Sequence, residues 1–319
     1  MYMAYNAPHY PLQAPEADVL KYKGQYMDGW QKVRDTRFAR LKELGIIEAD
    51  AEFSDKEKVI GGWNGLSEVQ KIDMDLRMAT YAAMIDIVDQ QVGRLVETLK
   101  QEGIYEDTLI IFLSDNGACP FDRTRKPTKE NNYMPWDARS YYCYPDMWAR
   151  ACNTPFQGNK QSQFEGGIAT PMIVHWPNGI TVPGTMNRQR GHLVDFHATF
   201  RDLASVEYPT HYDPKTQQLS GQAIGPARGI SLVPAFTGKP RAEHEYLYQN
   251  FNNGKTALVR GDWKLVNFKE LYNLKEDRIE SHDLSKTSPD KFEFMRSEFA
   301  RLDAELNQGK AMKKINACK

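Results

Sequence analysis

Asp107-Thr-Leu-Ile-Ile-Phe-Leu-Ser-Asp-Asn-Gly117 is the stretch on which the fold is read. A continuous apolar run, Leu109 to Leu113, stands between a turn-forming Asp107 and a turn-forming Gly117. A run of that length, closed by such residues, predicts a buried strand at the centre of a parallel sheet. In open α/β sheets the ligand site lies just beyond the carboxyl ends of the strands. Asp115 and Asn116 fall there, a carboxylate beside a carboxamide, and offer two hard oxygens of the kind Ca²⁺ or Mg²⁺ prefers. The alternative is a plain turn, since Asn-Gly is a strong turn signal.

Working outward, Ser67 with Gln70 forms a capping-box pattern that opens a helix running to Gln101, where Gly103 follows. Tyr81, Ile85, Val88, Val92, Leu95 and Leu99 recur on it at four-three spacing and predict its buried face. Met74, Met78 and Met84 read as core filler. Helix then strand is the order of an α/β crossover unit. Upstream, Pro15 to about Ile47 is charge-rich with helical spacing at Val33, Phe38, Leu41 and Leu44, and Gly45 is a stop. Downstream, Ala118 to Gly158 is long and irregular, with five prolines, several cations and Trp136, Tyr141, Tyr142, Tyr144 and Trp148. Loops of that length inside a compact domain are often functional. Two readings stay open: an aromatic and cationic cover over the site mouth, or a structural loop whose aromatics bury against the domain.

A second apolar strand, Met172-Ile-Val-His-Trp-Pro177, precedes a helix over Leu193 to Leu203 with Leu193, Phe196, Phe200 and Leu203 on one face. His175 inside that strand reads as a hydrogen-bonded core residue. A Pro-, Gly- and Gln-rich span from Tyr208 to Gly229 suggests a boundary, dividing the chain into 1–207 and 208–319. Beyond it Glu245–Tyr248, Thr256–Arg260 and Trp263–Val266 predict short strands, with a tight hairpin at Arg260-Gly-Asp-Trp263. Phe292 to Leu306 predicts a closing helix.

With 319 residues the chain can bury a substantial core. Lys+Arg 41 against Asp+Glu 42 gives a net charge of −1, so nothing global points to nucleic acid or an anionic membrane. No apolar run approaches the roughly 20 residues that span a bilayer. Cys119, Cys143, Cys152 and Cys318 lack zinc-like spacing and leave the redox compartment open.

Several segments in order resemble one family. They are Ala7-Pro-His-Tyr-Pro-Leu12, Ser114-Asp-Asn-Gly117, Lys160 ahead of Glu165-Gly-Gly-Ile-Ala-Thr-Pro171, Gly261-Asp-Trp-Lys-Leu-Val266 and Glu270-Leu-Tyr-Asn-Leu274. Together the chain resembles the sulfatase (arylsulfatase) family of the alkaline-phosphatase-like superfamily, along nearly its whole length. The fold this implies is α/β, a mixed, mostly parallel sheet flanked by helices, with a small C-terminal antiparallel sheet and a packed helix. Ala169 departs from the Arg common after Glu-Gly-Gly-Ile in the family. The nucleophile motif C-x-P-[SA]-R, whose Cys or Ser becomes formylglycine, is not found; Cys119-Pro-Phe-Asp-Arg123 has its proline one residue early. The expectation is that the family's N-terminal part is absent, that Met1 is an internal methionine, and that the chain alone shows no appreciable sulfatase turnover.

The resemblance implies roles for particular residues. Asp115 and Asn116 would be metal ligands, for Ca²⁺, though two oxygens fall short of the six to eight it takes. His9 would contact the sulfate or leaving oxygen and Lys160 a sulfate oxygen. His9 as a backbone-bonded loop residue and Lys160 as a solvated lysine are the plain alternatives. Arg123 and Trp136 in the long loop would meet the substrate, a sulfated carbohydrate or aryl sulfate ester. The family implies a periplasmic or secreted location. Two other functions remain in view: a phosphodiesterase or phosphonate hydrolase of the same superfamily, and a non-catalytic carbohydrate-binding remnant.

Overall fold

Two helices, α1 (Glu16–Leu20) and α2 (Gly29–Glu43), form where one charge-rich stretch was read. The break falls at Gly24 and Gly29, both with positive φ. Here the structure is a computed structural model that describes residues 1–53, 60–251 and 254–317. Next comes α3 (Glu68–Gln101), started by Ser67 with both capping-box bonds in place and followed by Gly103 at φ 70°. The buried face of α3 is its N-terminal half, Leu76, Met78, Ala79, Ala83 and Met84, and Ile85 is exposed. Of the predicted seam, Tyr81 packs against the core and Val88, Val92, Leu95 and Leu99 are half-buried, while the deepest burial falls in the preceding turns, at Ala79 and Ala83.

The core of this half is aromatic. Trp148, fully buried, meets Trp30 edge-on at 5.7 Å and Trp63 at 6.0 Å, and Trp30 meets Trp63 at 4.9 Å. Such edge-to-face contacts add to area burial. Asp75, buried, accepts from the N–H groups of Gly24 and Tyr26 and so holds the α1–α2 turn on α3.

Strand β1 (Ile110–Leu113) forms as read, but its pairing does not. It lies antiparallel to β2 (Met172–His175), with Ile110 opposite His175 and Leu113 opposite Met172. A parallel neighbour needs a crossover that returns the chain to the strand's starting end. Instead the chain leaves β1, runs through α4 (Lys126–Glu130), α5 (Asp146–Cys152) and α6 (Glu165–Ile168), and re-enters at the same end. Nor is the pair deeply buried: Phe112 of β1 is 49% exposed and Ile173, opposite it on β2, 64%. His175 is corrected as well, since among the described residues its buried Nε2 has no hydrogen-bond partner, and its ring lies tilted 5.0 Å from that of Tyr105.

Helix α7 (Val194–Leu203) buries Asp195, Ala198 and Thr199 and leaves Leu193, Phe200 and Leu203 exposed, the reverse of the predicted face. Polar bonding sets that orientation. Asp195 accepts from the N–H groups of His192 and Ile230, from Arg241 and at 2.8 Å from His244, while Thr199 Oγ1 accepts from Leu232 N–H. A hairpin of β3 (His211–Asp213) and β4 (Gln218–Ala223) occupies the Pro-, Gly- and Gln-rich span, and a short α8 (Val233–Phe236) follows it.

The C-terminal part matches its reading. Strands β5 (Leu247–Phe251), β6 (Lys255–Arg260), β7 (Trp263–Val266) and β8 (Glu270–Asn273) make an antiparallel sheet in chain order. Gly261 turns the β6–β7 hairpin at φ 56°. Helix α9 (Pro289–Ala317), longer than predicted, buries Met295, Phe299 and Leu302 against Leu258, Leu265 and Leu271. Cys318 lies outside the described residues.

Candidate functional site

The end of β1 is built by close backbone approach. Gly117 donates its N–H to Gly167 O at 3.2 Å, and a Cβ on Gly117 would sit 1.8 Å from Gly166 O. A Cβ on Gly166 would come 2.4 Å from Gln157 O. Only hydrogen fits at these positions, so the Gly166-Gly167 pair permits a tight bend ahead of β2. The same contacts lay the 157–168 segment against the residues that follow β1. Lys160 donates its N–H to Ala118 O at 2.9 Å. Asn153 bridges the two stretches, accepting from Ala118 N–H at 2.8 Å and donating to Gly158 O at 2.9 Å. Asn159 donates to Asp146 at the start of α5.

A cleft of about 410 Å³ opens at this junction, lined among others by Asn116, Lys160, Ser162, Gly167, Gln249 and Phe251. Its far wall is β5 of the C-terminal sheet. Asn116 Nδ2 donates to Gly117 O at 3.0 Å, which commits the amide nitrogen and leaves the oxygen for another partner. Asp115, next to it, is exposed. Among the described residues the Lys160 ammonium makes no ion pair, and no group of three or more His, Cys, Asp or Glu side chains could hold a metal. Asp115 and Asn116 fit a hard cation as two oxygens of a larger set.

His9 and Arg123 belong to a neighbouring cluster and do not line the cleft. His9 is exposed, bonded through Nδ1 to Tyr10 O at 2.8 Å, with its ring 4.2 Å from that of Tyr10. Arg123, also exposed, lies 5.9 Å from the Tyr10 ring, and Tyr141 is 6.0 Å from Tyr10 on the other side. Trp136 is half-buried and packs against the aromatic core. In the long loop Tyr142, Tyr144 and Trp148 are buried and Tyr141 is half-buried, while Arg123 and Arg125 remain on the surface. The buried aromatics fit the structural reading of that loop, and no residue of the 118–158 stretch lines the cleft.

Beneath the cleft lies a charge cluster that the spacing of the sequence did not announce. Lys264 on β7, fully buried, donates to Glu165 Oε1 at 2.5 Å. It also lies 2.8 Å from Glu280 Oε1, a charge contact without hydrogen-bond alignment. Glu280 Oε2 accepts from Glu165 N–H at 2.7 Å, and Glu280 O accepts from Gln157 Nε2 at 2.7 Å. Burial works against the Lys264 ammonium, but the charges of Glu165 and Glu280 outweigh it and raise its pKa. The signal was present in the sequence as a lysine amid apolar strand residues, Trp263-Lys-Leu-Val266. Its partners, Glu165 and Glu280, are remote along the chain.

Burial pushes the Glu280 carboxyl up to about 7, against the opposing pull of Lys264. With a folded pKa above the ordinary value of 4.5, the native state holds the extra proton between those limits. The stability it contributes is complete below about pH 4.5 and declines as the pH rises through about 7. Melting temperatures measured across that window should fall with rising pH in the wild type, and Glu280→Gln should flatten this component.

Comparison with known proteins adds a family and a fold. The family model described as Sulfatase matches residues 1–206. An uncharacterized sulfatase of Schizosaccharomyces pombe is 30% identical over 314 residues, covering 91% of this chain and 54% of the relative. Arylsulfatase of Klebsiella aerogenes is 34% identical over 259 residues, covering 77% and 53%. The crystal structure of Ps i-CgsB in complex with k-i-k-neocarrahexaose superimposes with a TM-score of 0.57 at 25% identity, over 94% of this chain and 49% of that one. The chain thus spans about half the length of the curated relatives it matches.

Proposed function

Because the chain belongs to the sulfatase family, we propose that the cleft at the end of β1 receives the sulfate group of a sulfated carbohydrate or aryl sulfate ester, for hydrolysis of that ester. One observation carries the reading: Asn116 and Lys160, far apart in the sequence, line a single cleft. The similar Ps i-CgsB was solved with a carbohydrate, k-i-k-neocarrahexaose, which supports a sugar as the alcohol part.

Cleavage of a sulfate ester gathers negative charge on the sulfuryl oxygens and on the departing oxygen. The Lys160 ammonium, free of any protein counter-ion among the described residues, neutralises one sulfuryl oxygen. Asp115 and Asn116 would contribute oxygens to Ca²⁺, which when bound supplies positive charge to the sulfate. The roles expected of His9 and Arg123, contact with the leaving oxygen and with the substrate, need the ester to extend past the cleft, whose lining includes neither residue. Trp136 would contribute its half-exposed ring to the sugar side. The division into 1–207, bearing these groups, and 208–319, closing the cleft with β5, is part of the same proposal.

Calorimetric titration of the chain with 4-nitrophenyl sulfate in the presence of Ca²⁺ tests this reading. Loss of a charge-assisted bond predicts an affinity about 10- to 100-fold weaker in Lys160→Ala. Equal affinity in the two proteins would refute it. A parallel titration with 4-nitrophenyl phosphate separates a phosphate-ester specificity.

A further inference from the structure

The lining of the cleft carries polar groups that the sulfate reading does not use. Gln163 is only 5% exposed and Gln249 is half-buried; both line the cleft, and Oε1 of each is buried with no hydrogen-bond partner among the described residues. Buried amide oxygens without donors are uncommon, because losing water without a replacement bond is costly. Two of them at one cavity call for a common explanation.

Strand geometry shows how Gln249 reaches this position. Alternate residues of β5 share a face, so Leu247, Gln249 and Phe251 point one way. Leu247 and Phe164 of the 157–168 segment both pack against the cluster of Val259, Val266, Tyr272 and Leu274, and Gln249 and Phe251 continue along the cleft. Asn250, on the opposite face, is already engaged, donating to Asp303 Oδ1 at 2.8 Å. Phe251 is 41% exposed and presents an aromatic surface at the cavity rim. The last torsion of a glutamine is broad and soft, so each amide can turn its oxygen to a donor in the cleft.

We propose that Gln163 and Gln249 form a hydroxyl-reading subsite for the sugar ring that bears the sulfate, with Phe251 flanking the ring. The proposal rests on the sulfate reading above and deepens it. Two amide acceptors suit a ligand with neighbouring O–H donors, and the apolar ring of Phe251 suits the C–H face of a pyranose. An aryl sulfate offers neither donor, so the subsite discriminates in favour of carbohydrate. A volume of about 410 Å³ accommodates one sulfated monosaccharide and lies at the lower end of small-ligand sites.

The test is calorimetric titration of the full chain, with Ca²⁺, using D-galactose 6-sulfate, D-glucose 6-sulfate and 4-nitrophenyl sulfate. At least one sugar sulfate should bind more tightly than the aryl sulfate. Gln249→Met should weaken that sugar sulfate about tenfold, the usual scale for one lost hydrogen bond to a neutral group. It should leave 4-nitrophenyl sulfate unchanged. Gln163→Met should act in the same direction, and neither variant should melt earlier than wild type, because each removes an acceptor that has no partner to lose. Unaltered sugar binding in both variants, or no preference for sugar in the wild type, overturns the subsite. Failure of Lys160→Ala to weaken any of the three ligands would instead remove the sulfate reading beneath it, so the two failures are distinguishable.

Discussion

Lys264→Met is expected to destabilise the protein by about 3–5 kcal/mol, the cost of breaking a buried ion pair from one side. The lysine is fully buried, with Glu165 and Glu280 within 2.8 Å of its ammonium. Methionine fills the volume but leaves two carboxyl groups facing each other without the cation between them. Glu280, whose carboxyl burial already pushes up to about 7, would take a proton, so the loss should deepen as the pH rises above neutrality. Denaturant unfolding at pH 5 and pH 8 checks both the size and this direction. The double variant Lys264→Met, Glu280→Gln should recover part of the loss, a coupling that a cycle of single and double variants measures. Because Glu280 also holds the N–H of Glu165 and the side chain of Gln157, the single variant should loosen the 157–168 segment.

Asp195→Ala should produce a loss of similar size, about 3–5 kcal/mol, for a different reason. Burial works against the Asp195 carboxylate, but the N–H groups of Ile230 and His192 and the charges of His244 and Arg241 hold its pKa below the usual range. Removing it leaves the buried guanidinium of Arg241 without its carboxylate and two backbone donors without an acceptor. Asp195→Asn keeps the shape and part of the bonding and should fall between the two in denaturant unfolding. A drop below 1 kcal/mol for the alanine variant would show that the network is largely replaced by water.

These two clusters mark the limit of what the sequence discloses. Local signals were legible: the Ser67 capping box, the Gly261 hairpin, β6 and β7, and the apolar run of β1. The meeting of Asn116 and Lys160 was also legible, through family motifs rather than through periodicity. Burial was read less well. Phe112, Ile173, Leu193 and Phe200 have the spacing of core residues yet stay exposed among the described residues. Apolar periodicity says which side of an element seeks a partner; it does not say whether the chain supplies one. On α7 the deciding contacts are polar, Asp195 and Thr199 with the 230–244 stretch, and hydropathy is blind to them. The parallel pairing of β1 was misread because a strand's composition carries no direction, whereas the route of the chain from Gly117 to Gly167 fixes it. The partnership of Lys264 with Glu165 and Glu280, and the unpaired amides of Gln163 and Gln249, arise only when the C-terminal sheet meets the 157–168 segment.

Side-chain amide resonances of Asn116 in ¹⁵N-labelled protein give the most direct view of the cleft. On addition of 4-nitrophenyl sulfate with Ca²⁺ they should shift in a saturable manner, and Lys160→Ala should abolish the shift. Saturable shifts confined to other parts of the protein, with Asn116 unmoved, would contradict an anion site at the end of β1.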